Sequence, residues 1–146
     1  EAIGQPVRVL TSIRMEPIGD FYSPAKAQRL LDKGNVVILA GGTGAPYFTT
    51  DTGSSLRALE IKADVMHKGT RVDGGYTADP EKDPAATKFT EITYDEITRR
   101  GLKVMDQTAT VMCKENGMPI YVFNMDIPGN LEKVINGESI GTLVTP

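Results

Sequence analysis

Short apolar runs alternate along this chain with segments in which apolar residues recur every three or four positions. The continuous runs predict buried strands, and the longer periodic segments predict amphipathic helices. The predicted strands cover residues 7–13, 36–40, 63–68, 119–125 and 143–144. Strands that alternate with helices are typical of an α/β fold with a mostly parallel sheet.

Signals for helix starts and ends lie between these strands. Ser23 followed by Pro24 begins the first helix, and Gly34 ends it. Asp51 begins a second helix, which is predicted to extend to residue 63. Three further helices are predicted to begin at Thr93, Asp106 and Pro128.

A long polar stretch at residues 70–86 interrupts the alternation and contains Gly74-Gly75, Pro80 and Pro84. Long structured loops in compact domains are often functional. No linker, internal repeat or low-complexity tract divides the sequence. We therefore expect one domain over residues 1–146, with this loop as a candidate site.

Composition narrows the classes of function. The 146 residues carry a formal net charge of −3 and no Lys- or Arg-rich run, which argues against a nucleic-acid partner. Cys113 is the single cysteine, so the sequence holds neither a disulfide framework nor a thiolate metal site. No apolar stretch approaches the ~20 residues of a membrane span. We expect a cytoplasmic protein with no membrane partner and no metal held by protein ligands alone.

The segment at 41–51, Gly-Gly-Thr-Gly-Ala-Pro-Tyr-Phe-Thr-Thr-Asp, is the first candidate site. It joins a predicted strand to a helix start, where backbone N–H groups and the positive end of the helix dipole favour a phosphate. Tyr47 and Phe48 offer rings for a base or a sugar. An ordinary βα turn with Asp51 as its N-cap accounts for the same pattern, so the spacing alone leaves both interpretations open.

Several segments together resemble one family. The 41–51 segment is similar to the nucleoside-monophosphate loop of the bacterial uridylate (UMP) kinases, in the amino acid kinase superfamily. Further similar segments follow in the family's order at 68–74 (Lys-Gly-Thr-Arg-Val-Asp-Gly), 76–84, 102–106 (Leu-Lys-Val-Met-Asp), 119–125 and 141–142. The resemblance implies an amino acid kinase-like three-layer α/β sandwich. This chain matches its C-terminal part, with a UMP loop at 41–51 and an ATP loop at 68–84.

The same resemblance assigns candidate residues to two nucleotides. The family's UMP contacts fall on Thr43, Gly44, Ala45, Pro46, Tyr47, Phe48, Thr49 and Thr50. Its ATP contacts fall on Thr70, Tyr76 and Asp79. The family often has Asn where this chain has Ala45, so we expect a side-chain hydrogen bond to the acceptor to be missing.

Three residues are candidates for catalysis. Asp106 follows a strand-like Lys-Val-Met sequence and precedes a helix. A carboxylate there can orient a catalytic lysine or a bound Mg²⁺, or simply cap the helix. Asp51 likewise is either a residue that handles charge and magnesium or an N-cap. By resemblance, Lys68 assists at the phosphates, while the family's main lysine belongs to a Lys-x-Ser-Gly motif that this sequence lacks.

The resemblance implies transfer of the ATP γ-phosphate to UMP with Mg²⁺, which gives UDP for pyrimidine nucleotide biosynthesis. It also implies a homohexamer under allosteric control by GTP and UTP. We expect this chain to be a fragment of such a kinase, inactive alone and with apolar surface exposed. Two alternatives stay open: a superfamily member that phosphorylates a carboxylate or carbamate, and a non-catalytic nucleotide-binding or regulatory module.

Overall fold

Two compact units make up the chain. The computed structural model describes residues 3–78 and 82–146. Contacts between Cα atoms group them into a first unit, Glu1–Ala63, and a second unit, Asp64–Pro146. The sequence offers no linker at this boundary, and a single domain over residues 1–146 stays a prediction.

The first unit is an α/β unit with a parallel sheet. In chain order it contains β1 (Val7–Thr11), β2 (Asp20–Phe21), α1 (Pro24–Asp32), β3 (Val36–Ala40) and α2 (Thr50–Glu60). The sheet order is β2-β1-β3, and both pairs are parallel. β1 pairs with β3 from Val7 opposite Val36 to Thr11 opposite Ala40. The carboxyl end of β3 therefore leads directly into the glycine-rich segment.

The two faces of this sheet differ in burial. Leu10, Tyr22 and Ala27 form a buried core against which α1 packs. Val9 of β1 and its neighbour Ile38 of β3 have their side chains on the opposite face, and both are exposed. Apolar surface is therefore exposed, as expected from the sequence.

The second unit has a mixed sheet. In chain order it contains β4 (Met66–Thr70), β5 (Glu91–Thr93), α3 (Tyr94–Arg100), α4 (Gln107–Glu115), β6 (Ile120–Asn124), α5 (Asn130–Ile135) and β7 (Thr142–Thr145). The sheet order is β4-β6-β7-β5, with an antiparallel pair, β6 and β7, between two parallel pairs. Its core contains Tyr94, Cys113, Ile120, Phe123 and Val144, all nearly inaccessible to solvent. The α/β class with mostly parallel pairing is confirmed.

Most predicted helix starts are confirmed by their capping bonds. The side chains of Ser23, Thr93 and Asp106 each accept a hydrogen bond from the backbone N–H three residues later. The prediction for α2 was wrong by two positions, because Thr49 and not Asp51 caps this helix. Thr49 reaches the N–H of Thr52 at 3.2 Å, which leaves Asp51 inside the first turn.

The observed strand bounds differ from the predicted bounds where the hydrophobic pattern in the sequence was short. β1 ends at Thr11 instead of residue 13, and β4 begins at Met66 instead of residue 63. β2 and β5 were not predicted, because two or three residues are too few to show a periodicity. The Lys-Val-Met sequence before Asp106 is not a strand, and α5 begins after Gly129 and not at Pro128. None of the helices in the described part of the chain has the length and apolarity needed to cross a membrane.

Candidate functional site

The glycine-rich loop between β3 and α2 forms a shallow pocket of about 310 Å³. The residues that line the pocket are Gly41, Gly42, Thr43, Gly44, Ala45, Phe48, Thr49 and Thr50. Six of the eight predicted UMP residues are therefore together at one surface. Pro46 and Tyr47 are not among the lining residues, and the Tyr47 side chain is fully exposed to solvent.

The shape of this loop depends on left-handed backbone. Gly41, Gly42 and Gly44 have φ of 87°, 57° and 73°, a region that side chains with a Cβ rarely adopt. The N–H of Gly44 donates to the carbonyl of Gly41 at 3.1 Å, which closes the turn. This turn and the first turn of α2 line one pocket, as a binding site for an anion requires.

The two threonines at the ends of the loop stabilise it from within. The Oγ1 of Thr43 accepts from the N–H of Ala45 at 3.1 Å. Thr49 caps α2, as described above. Ala45 has no polar side-chain atom, so any contact that it makes with a ligand must come from its backbone.

Gly53 allows α2 to approach the loop closely. A Cβ placed on Gly53 would lie 3.2 Å from the Cα of Gly42. The buried face of α2 near the loop accordingly consists of small residues, Thr52, Gly53 and Ser55. Asp51 stands on the same first turn, and its carbonyl accepts from the Ser55 hydroxyl at 2.9 Å. The catalytic role of Asp51 stays a prediction.

A cluster of side chains behind the loop was missed from the sequence. Arg57 on α2 contacts the loop, Ser12 and Glu60, and Tyr22 completes the cluster. Burial and the neighbouring Glu60 raise the pKa of Tyr22 to about 12, so its hydroxyl stays protonated. Ser12 and Arg57 are 45 positions apart, and no local pattern links them. One indication of this cluster was present in the sequence, which was an arginine, Arg57, on a helix that otherwise presents small residues to the loop.

The second unit contains a larger and more apolar cavity of about 470 Å³. Its walls include Val72, Ile92, Ile97, Val104 and Val122. Two of the predicted ATP residues, Thr70 and Tyr76, line the same cavity. The third, Asp79, lies outside the described residues.

Polar groups at the edge of this cavity are paired with each other. The Tyr76 hydroxyl donates to Asp73 at 2.5 Å, and Lys88 Nζ lies 3.0 Å from the other carboxylate oxygen. Partial burial alone would raise the pKa of Asp73, but these two hydrogen bonds hold it below its ordinary value. The same hydrogen bond raises the pKa of Tyr76. This Asp73–Tyr76–Lys88 cluster fixes the first half of the polar loop.

The two remaining catalytic candidates belong to the second unit. Asp106 Oδ1 accepts from the N–H of Ala109 at 2.9 Å, so the capping interpretation is confirmed. Lys68 lies in β4 and is half-buried. Their catalytic roles stay predictions.

Nothing in the described ranges, 3–78 and 82–146, groups three or more His, Cys, Asp or Glu side chains closely enough to hold a metal ion.

Comparisons with known proteins identify the family of the chain. The model of the amino acid kinase family matches residues 4–124, and the chain belongs to that family. It is 71% identical over 143 residues to the uridylate kinase of Parabacteroides distasonis, covering 98% of this chain and 61% of that protein. Among solved structures it is similar to the UMP kinase from Bacillus anthracis, with 36% identity, a TM-score of 0.92, and coverage of 97% and 58%. The UMP kinase from Ureaplasma parvum gives 33% identity, a TM-score of 0.94, and coverage of 99% and 62%.

The chain spans about 61% of the length of the curated relatives that it matches. The resemblance to part of a UMP kinase, inferred from the sequence, is confirmed.

Proposed function

We propose that the whole protein transfers the γ-phosphoryl group of ATP to UMP, giving ADP and UDP. The single observation that carries this proposal is the pocket at Gly41–Thr50. Three left-handed glycines and the start of α2 line that pocket, in a chain 71% identical to a uridylate kinase, and this lining suits an anion. Phosphoryl transfer depends mainly on positioning and on electrostatic stabilisation of phosphate oxygens. A loop of backbone donors supplies both.

The acceptor nucleotide is assigned to the first unit and ATP to the second. Backbone N–H groups of the loop would bind the UMP phosphate, and Phe48 would contact the uridine. The apolar cavity of the second unit would take the adenine, since its walls are aliphatic and Tyr76 adds a ring. Asp106 would orient a catalytic lysine, with Lys68 and Asp51 at the phosphates. Mg²⁺ would arrive with ATP, because phosphate oxygens are ligands that it prefers.

Further properties of the whole protein are proposed on the resemblance alone. These are a homohexameric assembly, control by GTP and UTP, and a place in pyrimidine nucleotide biosynthesis in the cytoplasm. Sedimentation of the whole protein, with and without GTP, tests the assembly.

The proposed activity is tested by ADP release from the whole protein with ATP and Mg²⁺. UMP, CMP, carbamate and acetylglutamate are supplied in turn as acceptors, with a reaction lacking acceptor as the blank. We expect turnover that depends on UMP. Turnover with carbamate or acetylglutamate alone would indicate the carboxylate or carbamate kinase, and nucleotide binding without any turnover would indicate a regulatory module.

A further inference from the structure

Arg57 connects the glycine-rich loop to the end of β1. Its Nη2 donates to the Ser12 hydroxyl at 3.0 Å and to the carbonyl of Gly42 at 3.3 Å. Ser12 itself donates to the same Gly42 carbonyl at 2.5 Å, and its N–H donates to the carbonyl of Ala40 at 3.0 Å. The backbone carbonyl of Gly42 therefore accepts two hydrogen bonds, one from the Arg57 side chain and one from the Ser12 side chain.

The other side of the guanidinium is held by two side chains. Nη1 lies 2.7 Å from Glu60 Oε2, and the Tyr22 hydroxyl donates to the same oxygen at 2.7 Å. The guanidinium carbon stands 4.0 Å from the centroid of the Tyr22 ring. The charge of Arg57 is thus compensated by Glu60, and its plane is fixed by the ring.

This arrangement is not the most favourable one for stability. The Arg57 side chain is 13% exposed, and its Nε is buried without a hydrogen-bond partner among the described residues. Burying an unsatisfied donor destabilises a protein. The guanidinium is therefore placed for the contact with Ser12 and Gly42, at some cost to its own hydrogen bonding.

The fixed carbonyl has a consequence for the pocket. In a trans peptide, the C=O of one residue and the N–H of the next point in opposite directions. The bond between Gly42 and Thr43 has this ordinary trans form. Holding the Gly42 carbonyl toward Arg57 therefore turns the N–H of Thr43, a pocket-lining residue, away from it.

We infer that Arg57 is a positioning residue for the acceptor-nucleotide site. The planar guanidinium fixes the orientation of the Gly42–Thr43 peptide. The Thr43 N–H is thereby oriented to donate to an anionic oxygen of the acceptor. The identity of that acceptor rests on the proposed function. A lysine cannot replace this arginine, because a single ammonium cannot contact Ser12, Gly42 and Glu60 in one plane.

The decisive variant is Arg57→Lys in the whole protein. We expect the KM for UMP to rise about tenfold, the effect of losing a charge-assisted hydrogen bond. The KM for ATP should stay unchanged, since ATP is assigned to the other unit. An unchanged KM for UMP in a folded Arg57→Lys protein overturns the inference.

Tyr22→Phe is the matched control. It removes the hydroxyl bond to Glu60 from the same cluster without touching Ser12 or Gly42. We expect a lowered melting temperature but a KM for UMP within about twofold of the parent. An equal rise in KM in both variants would mean that Arg57 acts only through stability, which also overturns the inference.

Two further measurements keep the inference separate from folding and from the proposed function. If Arg57→Lys does not fold, Ser12→Ala, which removes the hydroxyl bond to the Gly42 carbonyl and the acceptor of one Arg57 bond, should raise the KM for UMP by about fivefold. If the parent shows no turnover with UMP, the proposed function fails. Amide hydrogen exchange over residues 41–48 then decides: faster exchange in Arg57→Lys than in Tyr22→Phe supports the positioning role, and equal exchange overturns it.

Discussion

The two candidate sites of this chain differ in whether backbone or side-chain atoms form their walls. The pocket of the first unit consists mainly of backbone, with three left-handed glycines and the first turn of α2. The cavity of the second unit consists mainly of aliphatic side chains, with the Asp73–Tyr76–Lys88 cluster at its edge. The first suits an anion and the second suits a flat apolar ring. Backbone conformation therefore shapes the candidate site of the first unit, whereas side-chain chemistry shapes that of the second.

The largest effect is expected from Gly44→Ala in the first unit. An alanine at φ +73° costs ~1–2 kcal/mol, and its Cβ would lie 3.2 Å from the Ser12 carbonyl oxygen. We expect kcat/KM for UMP to fall at least about tenfold. The measurement is steady-state ADP release from the whole protein.

Gly34→Ala is the control for backbone strain alone. Gly34 has φ +75°, and a Cβ added there would meet no atom within 4 Å, so the two glycines differ only in what surrounds them. We expect a loss of stability from the strained φ alone, smaller than that of Gly44→Ala, with kcat/KM for UMP retained. An equal loss of activity in both variants would contradict a backbone-built site.

An intermediate effect is expected from Val72→Asp in the second unit. Val72 is 38% exposed and lines the cavity proposed for the adenine, so an added carboxylate would lose hydration when ATP binds but would not unfold the free protein. We expect the KM for ATP to rise about tenfold while the KM for UMP is unchanged. Val65→Asp is matched in exposure, at 37%, and lies outside the cavity lining, so it should change neither constant.

The smallest effect is expected from Asp73→Asn. Its folded-state pKa is below the ordinary 3.8, so the stability that it contributes is present above pH 3.8. That stability is lost as the pH falls through the folded-state pKa. The carboxylate is 42% exposed and screened by water, so we expect about 1 kcal/mol or less at neutral pH.

Melting temperatures between pH 7 and pH 2 check this effect. The parent should lose more stability in acid than Asp73→Asn does. Asp95→Asn, which alters an ion-paired carboxylate that is 80% exposed, serves as the control and should follow the parent. Parallel acid curves for the parent and Asp73→Asn would rule out a contribution from the cluster.

The sequence predicted the parts of the fold that depend on neighbouring residues. The strand at 36–40, the glycines after it and the caps at Ser23, Thr93 and Asp106 all follow from local chemistry. The cap of α2 was misplaced because Thr49, Thr50 and Asp51 are three adjacent residues that can each cap a helix. Only the turn geometry selects among them.

The parts that escaped prediction depend on residues distant in sequence. The contact of Arg57 with Ser12 spans 45 positions, and that of Thr142 with Gly75 spans 67. Local periodicity carries no information about such pairs. The prediction that Thr70 and Tyr76 contact ATP came from the resemblance to a family, because hydropathy alone did not single them out.

The close approach of Gly53 to Gly42 has a consequence for how this chain can change in evolution. A glycine within a helix is ordinarily a place where alanine improves stability by ~0.5–1 kcal/mol. Here the Cβ would lie 3.2 Å from the Gly42 backbone, so the loop must shift before the usual gain in stability can appear. The two positions are therefore epistatic: a side chain at 53 becomes acceptable only after the loop has moved away, and with it the pocket.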